Sequence, residues 1–319
     1  MKKCVCGNGK SIKVVHVKER MINNGEEFRY GVCRECGTIF LLDEVTEDEM
    51  SRYYGKNYYS FETVSRESLY DERTANTLAN RIIINTFWGA SFDGFISRLF
   101  RKKVLLTNLR GTKIRRQSKI LDVGGGNGSL INDLKLLGYK YGVAIDRYCE
   151  KSPYDIRFMN TSLLDMDEKN EYELIMMNNS FEHMNNPKEI LKKTTGLLQE
   201  KGMLVVKIPL GNCKAYKEYG TDWYQIDAPR HYYLYTVKAI KLMCEEVGLK
   251  VKKVVYTGGV NQFLISEQYR ETSKGYWDIQ KEEVFRKLSK RQKVKLWVKS
   301  IVCNLTGTSD SATFYIEKK

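Results

Sequence analysis

No run of about 18 apolar residues occurs in this chain, so no segment of the sequence reads as crossing a membrane. The opening "MKKCVCGNGKS" has no apolar h-region, so no signal peptide is read, and a cytoplasmic location is expected. There is no internal repeat and no low-complexity linker. Histidine is almost missing: only His16, His183 and His231 occur, which leaves few candidates for a general base. Eight cysteines in a reducing compartment argue against a disulfide framework. Four of them, Cys149, Cys213, Cys244 and Cys303, are scattered and read as core residues. The other four form two close pairs near the N-terminus.

At 319 residues and 42% apolar composition, the chain can bury one good-sized core and carry appendages. Its net charge of +14 is unevenly spread. Residues 61–118 hold 11 Lys/Arg against 5 Asp/Glu, and residues 258–319 hold 12 against 7, whereas residues 119–257 hold 20 against 18. The surplus on the flanks reads either as solvated helix faces or as a surface that meets an anionic substrate or an anionic membrane.

From Ile120 onward, short apolar strands alternate with helical patterns: "KILDV", "GSLINDLKLLG", "YGVAID", "DIRFMN", "YELIMMNN", "PKEILKKTTGLLQEKG", "MLVVKIPL", "VKAIKLMCEEVG", "LKVKKVVYTG" and finally "ATFYIEKK". Proline opens and glycine closes the helix after "YELIMMNN". Such alternation predicts an α/β fold with a parallel, doubly wound sheet. Residues 259–311 interrupt it as a helical insertion. There Val294, Trp297, Val298, Ile301 and Leu305 make one helical stripe among lysines. Packing as a cap is the favoured reading of that stripe; lying on an anionic membrane is the other. Three regions result: a module at 1–45, a mostly helical connector at 46–118, and an α/β domain at 119–319.

In "ILDVGGGNGSL" a strand runs into a glycine-dense turn and a helix, as where a ligand approaches the main chain closely. A dinucleotide fingerprint would place its third glycine at Ser129, and no Gly-Lys-Ser/Thr follows for a P-loop. What stands is D-x-G-x-G-x-G, with Asp122, Gly124, Gly126 and Gly128. This resembles motif I of class I S-adenosylmethionine (SAM) methyltransferases. "MMNNSFEHMNNP" resembles their motif IV region, and "GTDWYQIDAPRHYYLYT" the segment that many bacterial small-molecule methyltransferases carry after strand five. Upstream, "CVCG…YGVCRECGTIF" and "YYGKNYY" resemble the zinc-ribbon and aromatic segment of bacterial methyltransferases of glycan assembly.

The resemblance implies a Rossmann-like seven-stranded sheet, SAM as cofactor, and a zinc ribbon. It implies cofactor contacts at Asp122, Gly124, Gly125, Gly126, Asn127, Gly128, Asp146, Arg147, Asn179 and Ser180, with Asp146 accepting both ribose hydroxyls. Adenine contacts are expected at Thr161, Ser162 and Leu163, with Asp165 a displaced alternative. Cys33-x-x-Cys36 is a zinc knuckle whose partner, Cys4-x-Cys6, has a tighter bite, so a structural zinc held by all four thiolates is expected. In ubiquinone-type relatives the motif IV segment reads E-x-x-E-H and holds a divalent metal. Here Asn179 replaces the first carboxylate, and no catalytic metal is expected.

Methyl transfer is an in-line displacement governed by positioning, and a base is needed only if the nucleophile ionises poorly. His16 reads as structural. His231 and His183 are the candidate bases, with His231 favoured. Trp223, Tyr224, Asp227 and Arg230 are expected at the acceptor: stacking on a sugar, orienting the histidine, and pairing with a phosphate. The expected activity is O-methylation of a small-molecule or glycan-type acceptor, at a saccharide hydroxyl or at an anionic phosphate. A sugar C-methyltransferase, an RNA methyltransferase and a non-catalytic SAM-binding protein are the alternatives. RNA is disfavoured because the base-methylating N/D-P-P-Y/F signature is absent.

Overall fold

The structure is a computed structural model that describes residues 2–7, 9–54, 109, 111–167, 169–279 and 281–319. Most of the expected connector, and the "GKNYY" part of the aromatic segment, lie outside the described residues. Strands β1 (Ile12–Lys18), β2 (Glu27–Cys33) and β3 (Ile39–Leu41) form an antiparallel meander, and α1 (Glu47–Arg52) follows. A capping box starts α1: Thr46 Oγ1 accepts from the Glu49 N–H while the Glu49 carboxylate accepts from the Thr46 N–H.

The α/β part runs β4 (Ile120–Val123), α2 (Ser129–Leu136), β5 (Gly142–Ile145), β6 (Arg157–Met159), β7 (Tyr172–Asn178), α3 (Pro187–Leu197), β8 (Leu198–Pro209), α4 (Lys214–Tyr219), β9 (Tyr233–Leu234), α5 (Val237–Glu246) and β10 (Leu249–Tyr256). Then come α6 (Asn261–Glu271), α7 (Lys281–Lys287), α8 (Lys290–Thr306) and β11 (Ser311–Lys318). Seven strands make one sheet in the order β10-β11-β8-β7-β4-β5-β6. This is the class I methyltransferase fold. The central strands β4 and β7 are buried on both faces, which is why they read as unbroken apolar runs.

The sheet is mixed rather than wholly parallel: β11 runs antiparallel to both β8 and β10. The reason lies in the insertion. Tyr256 at the end of β10 faces Ala312 near the start of β11, and the Thr257 N–H donates to the Ser311 carbonyl. The excursion therefore leaves and returns at the same sheet edge, and the next strand must run backwards.

The cap expected from the α8 stripe is not formed. Val294, Trp297, Val298 and Leu305 are exposed and Ile301 is half-buried. The helix docks by its opposite face, where Ser300 and Cys303 are buried and Leu296 packs on the core. His16, expected to be structural, is a surface residue whose Nδ1 lies 3.0 Å from Glu27. The four scattered cysteines are all buried.

The meander does not end with its own strands. β9, from the α/β part, pairs with β3 and completes a four-stranded sheet β1-β2-β3-β9. Tyr30 donates its hydroxyl to the His231 carbonyl at 2.9 Å, and Thr236 donates to the Cys36 carbonyl at 2.8 Å. The N-terminal module is thus built into the carboxyl edge of the large sheet, beside two of the candidate site residues.

Candidate active site

The glycine turn after β4 is held by backbone bonds that any sequence could make, in a conformation that few could adopt. Gly124 and Gly125 both donate to the Ile145 carbonyl, tying the turn to β5. Gly124 has φ +68°, and a Cβ there would sit 2.5 Å from the Ser180 Cβ; at Gly128, φ +82°, it would sit 2.4 Å from the Ile156 Cδ1. Both positions therefore demand glycine. Asp122 is buried beneath the turn, and burial pushes its carboxyl up to about 7.

Asp146 ends β5. Its carboxylate accepts from the backbone N–H groups of Gly126 (2.9 Å), Tyr148 (2.9 Å) and Cys149 (3.0 Å). Burial raises its pKa, and these three donors oppose the rise. Asp146 thus holds the glycine turn and the following β5 turn together, while still lining the cleft.

That cleft encloses about 1040 Å³ of empty space, counting its open mouth. Of the residues expected to touch cofactor, Gly124, Asp146, Arg147, Thr161, Ser162, Leu163, Asn179 and Ser180 converge on it. Asp122, Gly125, Gly126, Asn127 and Gly128 do not line it; the last four form the turn beside it, and Asp122 on β4 lies beneath that turn. Ser162 caps a short 3₁₀ turn, accepting from the Leu164 N–H, and so presents Leu163 and Leu164 to the cleft. Asn179 adopts φ +50°, an uncommon conformation for a side-chain-bearing residue, at the end of β7.

Sequence reasoning missed an aromatic wall. Tyr54 and Tyr148 stack with centroids 4.7 Å apart, and Tyr232 and Glu47 join them around the cleft. Glu47 pairs with Arg147, so the segment after the N-terminal module closes over the residues that follow β5. The aromatic run beginning at Tyr53 was the available signal.

The histidines meet at the cleft's inner end. His183 lines it, with Nδ1 at 3.0 Å from the Arg230 carbonyl and 2.8 Å from the Tyr54 hydroxyl. His231 is buried behind it, ring centroids 4.6 Å apart and nearly perpendicular. Its Nδ1 is 2.8 Å from the Gln225 carbonyl. A carbonyl only accepts, so each Nδ1 carries the proton and each Nε2 keeps its lone pair. Burial holds both imidazoles neutral, His183 down to about 3.

Glu182, also missed, is wholly buried, and neither carboxylate oxygen has a hydrogen-bonding partner among the described residues. Burial pushes its carboxyl up to about 8. The His231 Nε2 lies 4.0 Å from Glu182 and 3.8 Å from Asp227. Donor atoms of Glu182, His183 and His231 fall within 4.8 Å of one another, a grouping that could hold a cation.

The residues expected at the acceptor are enclosed. Arg230 is fully buried and already paired: with Asp227 through two nitrogens, with Glu19 at 2.8 Å, and with the Tyr53 carbonyl. An acceptor phosphate has no free guanidinium edge to meet, because the N-terminal module supplies the counter-charge. Trp223 is buried against Tyr216, and no ring face is open for a sugar. Tyr224 is half-buried, its N–H donating to Ser266 of the insertion. Asp227 orients Arg230 and faces His231.

Away from the cleft, the four N-terminal cysteines come together. Cys4 and Cys36 sulfurs are 3.4 Å apart, and Cys6 and Cys33 sulfurs 3.7 Å. Four thiolates at Zn–S of about 2.3 Å would be spaced by about 3.8 Å, so the cluster fits a tetrahedral ion and the short Cys4-x-Cys6 bite closes without difficulty.

Among curated proteins no sequence match is found. By structure the chain is similar to the YcgJ protein from Bacillus subtilis, with 11% identity, a TM-score of 0.44, and coverage of 66% of this chain and 95% of that one. It is similar to a SAM-dependent methyltransferase from Archaeoglobus fulgidus, at 13% identity, TM-score 0.41, covering 64% and 86%. A third is the 1,6-didemethyltoxoflavin-N1-methyltransferase from Burkholderia thailandensis, at 14% identity, TM-score 0.39, covering 69% and 88%. A family model described as a methyltransferase domain matches residues 93–254, half of the chain. With the motif I turn, Asp146 and the cleft on the carboxyl edge of the sheet, the chain belongs to that family: it is a SAM-dependent methyltransferase.

Proposed function

We propose that the enzyme methylates an oxygen of a small acceptor of glycan type, with His183 as the proton-accepting imidazole and a structural zinc ion held by Cys4, Cys6, Cys33 and Cys36. One observation carries the catalytic part: His183 lines the same cleft as Gly124, Asp146 and Ser180, whereas His231 stands behind it. Bound SAM supplies an electrophilic methyl on a sulfonium.

In this reading Asp146 and the glycine turn orient the cofactor's ribose and main body, and Leu163 and Leu164 flank its adenine. As the acceptor oxygen would take up the methyl group, with S-adenosylhomocysteine as the leaving product, its proton would pass to the Nε2 of His183. Asp227, whose negative charge favours a protonated His183, would offset the charge that develops there. The tyrosine wall offers hydroxyls and ring faces to a polar, ring-shaped acceptor, a role moved here from Trp223 and Arg230.

The test is tritium transfer from labelled SAM to saccharides, sugar phosphates, nucleotide-linked sugars and RNA. Label in a saccharide oxygen supports the reading; label in RNA or on a sugar carbon replaces it with one of the other methyltransferase classes. With a true acceptor in hand, His183→Ala should lower kcat by roughly 10²–10⁴-fold with SAM affinity intact. Turnover surviving within a few-fold in His183→Ala but lost in His231→Ala would move the base to His231.

A further inference from the structure

Helix α8 is oriented the wrong way round for a helix of a water-soluble body. At 3.6 residues per turn, Val294, Trp297, Val298, Ile301, Val302 and Leu305 fall within an arc of about 140°. Leu296, Ser300 and Cys303, which touch the core, lie on the opposite side. The outward ridge is the most apolar stripe the helix has: Val294 is 59% exposed, Trp297 50%, Val298 46%, Val302 49% and Leu305 82%. A helix that only packs would turn this stripe inward.

The charges complete the pattern. Between Lys290 and Thr306 there are five cations (Lys290, Arg291, Lys293, Lys295 and Lys299) and no acidic residue. On the same helical projection, Lys295 flanks the apolar ridge on one side and Lys293 on the other, while Lys290 and Arg291 stand at its N-terminal end. Their side chains are long enough to carry charge outward beside a ridge that dips into an apolar layer. Lys299, nearer the packed face, is the one held by an acid among the described residues, Glu218, at 2.7 Å.

We propose that this face of α8 docks on an anionic lipid surface, lying in the plane of the headgroups with Val298 and Leu305 inserted. A second copy of the chain is the poorer occupant. Two such helices face to face would bring eight cations together with no acid on either helix to offset them, whereas phosphate headgroups supply the missing charge. The docking would hold the enzyme at the membrane surface, where acceptors that reside there are at high local concentration.

The experiment is co-sedimentation of the full-length protein with vesicles of phosphatidylglycerol and phosphatidylcholine in equal parts, against vesicles of phosphatidylcholine alone. Binding to the anionic vesicles should be at least about tenfold stronger and should weaken as salt is raised. Val298→Glu with Leu305→Glu should lower it by about a hundredfold or more, and both positions are exposed, so the fold tolerates the change. Arg291→Gln with Lys295→Gln should lower it about tenfold and flatten the salt dependence. No binding to either vesicle overturns the proposal. Binding that ignores the two glutamates also overturns it, since general positive charge would then account for the attraction. A stable dimer that dissociates on introducing those glutamates overturns it in favour of a copy-to-copy contact.

Discussion

Asp146 shows how much a single carboxylate is asked to do. It was singled out by its place at the end of β5, yet in the structure it also accepts three backbone N–H groups, one of them from the glycine turn. Asp146→Ala is therefore expected to weaken SAM and S-adenosylhomocysteine alike by about a hundredfold or more, through lost ribose bonds and a loosened turn together. Isothermal calorimetry with both ligands checks this; unchanged affinity would mean the ribose lies elsewhere. Its neighbour Asp122 carries a pH prediction. The folded carboxyl is pushed up to about 7, above an unfolded value near 3.8, so the native state holds more protons than the unfolded one between those values. Stability should accordingly fall as pH rises through this window, and Asp122→Asn should flatten the fall. Thermal unfolding of the ligand-free proteins from about pH 5 to about pH 8 measures it; parallel curves would sink the argument.

Among the elements, the segment between α4 and β9 departs furthest from its sequence reading. Its residue types suggested ligand contacts, because Trp, Tyr, Asp and Arg serve equally well for binding polar ligands and for knitting a buried polar network. Burial decides between the two roles, and burial here comes from Glu19 and Tyr53, far away in sequence. Arg230→Ala leaves Asp227 and Glu19 enclosed without their cation, so it should destabilise the protein by about 3–5 kcal/mol rather than selectively raise the acceptor KM. Urea unfolding set beside acceptor kinetics separates the two; native stability with a raised KM would restore the ligand-contact role. The glycine turn, by contrast, was legible residue by residue. Its requirement is written in backbone conformation and close approach, which no distant segment can supply. Helix α8 lies between these cases: its stripe and its charges were visible, but not the direction it faces.

At the scale of the molecule, the N-terminal module and the catalytic part share one small sheet. β9 follows His231 by a single residue before pairing with β3, and Tyr30 holds the His231 carbonyl. If the four cysteines bind zinc, the purified protein should carry about one equivalent by elemental analysis, and Cys33→Ser should lose it. Chelation should then unpair β3 from β9 and lower turnover far more than SAM affinity, because the cofactor cleft rests mainly on β4, β5 and β7. Metal-free protein with full turnover and an undisturbed N-terminal module would refute the coupling.

The sequence by itself determined the strand and helix succession, the glycine turn, Asp146 at the end of its strand and the cysteine pairs. Each of these is set by the periodicity or backbone chemistry of a few neighbouring residues. Only the tertiary structure decided that β11 runs backwards, that His183 stands before His231, that Glu182 lies beneath both, and that Arg230 is sealed. Those outcomes depend on contacts such as Glu19 with Arg230 and Thr236 with Cys36, separated by 211 and 200 residues. No local pattern encodes such pairings; they follow from which faces must be buried when the two sheets meet.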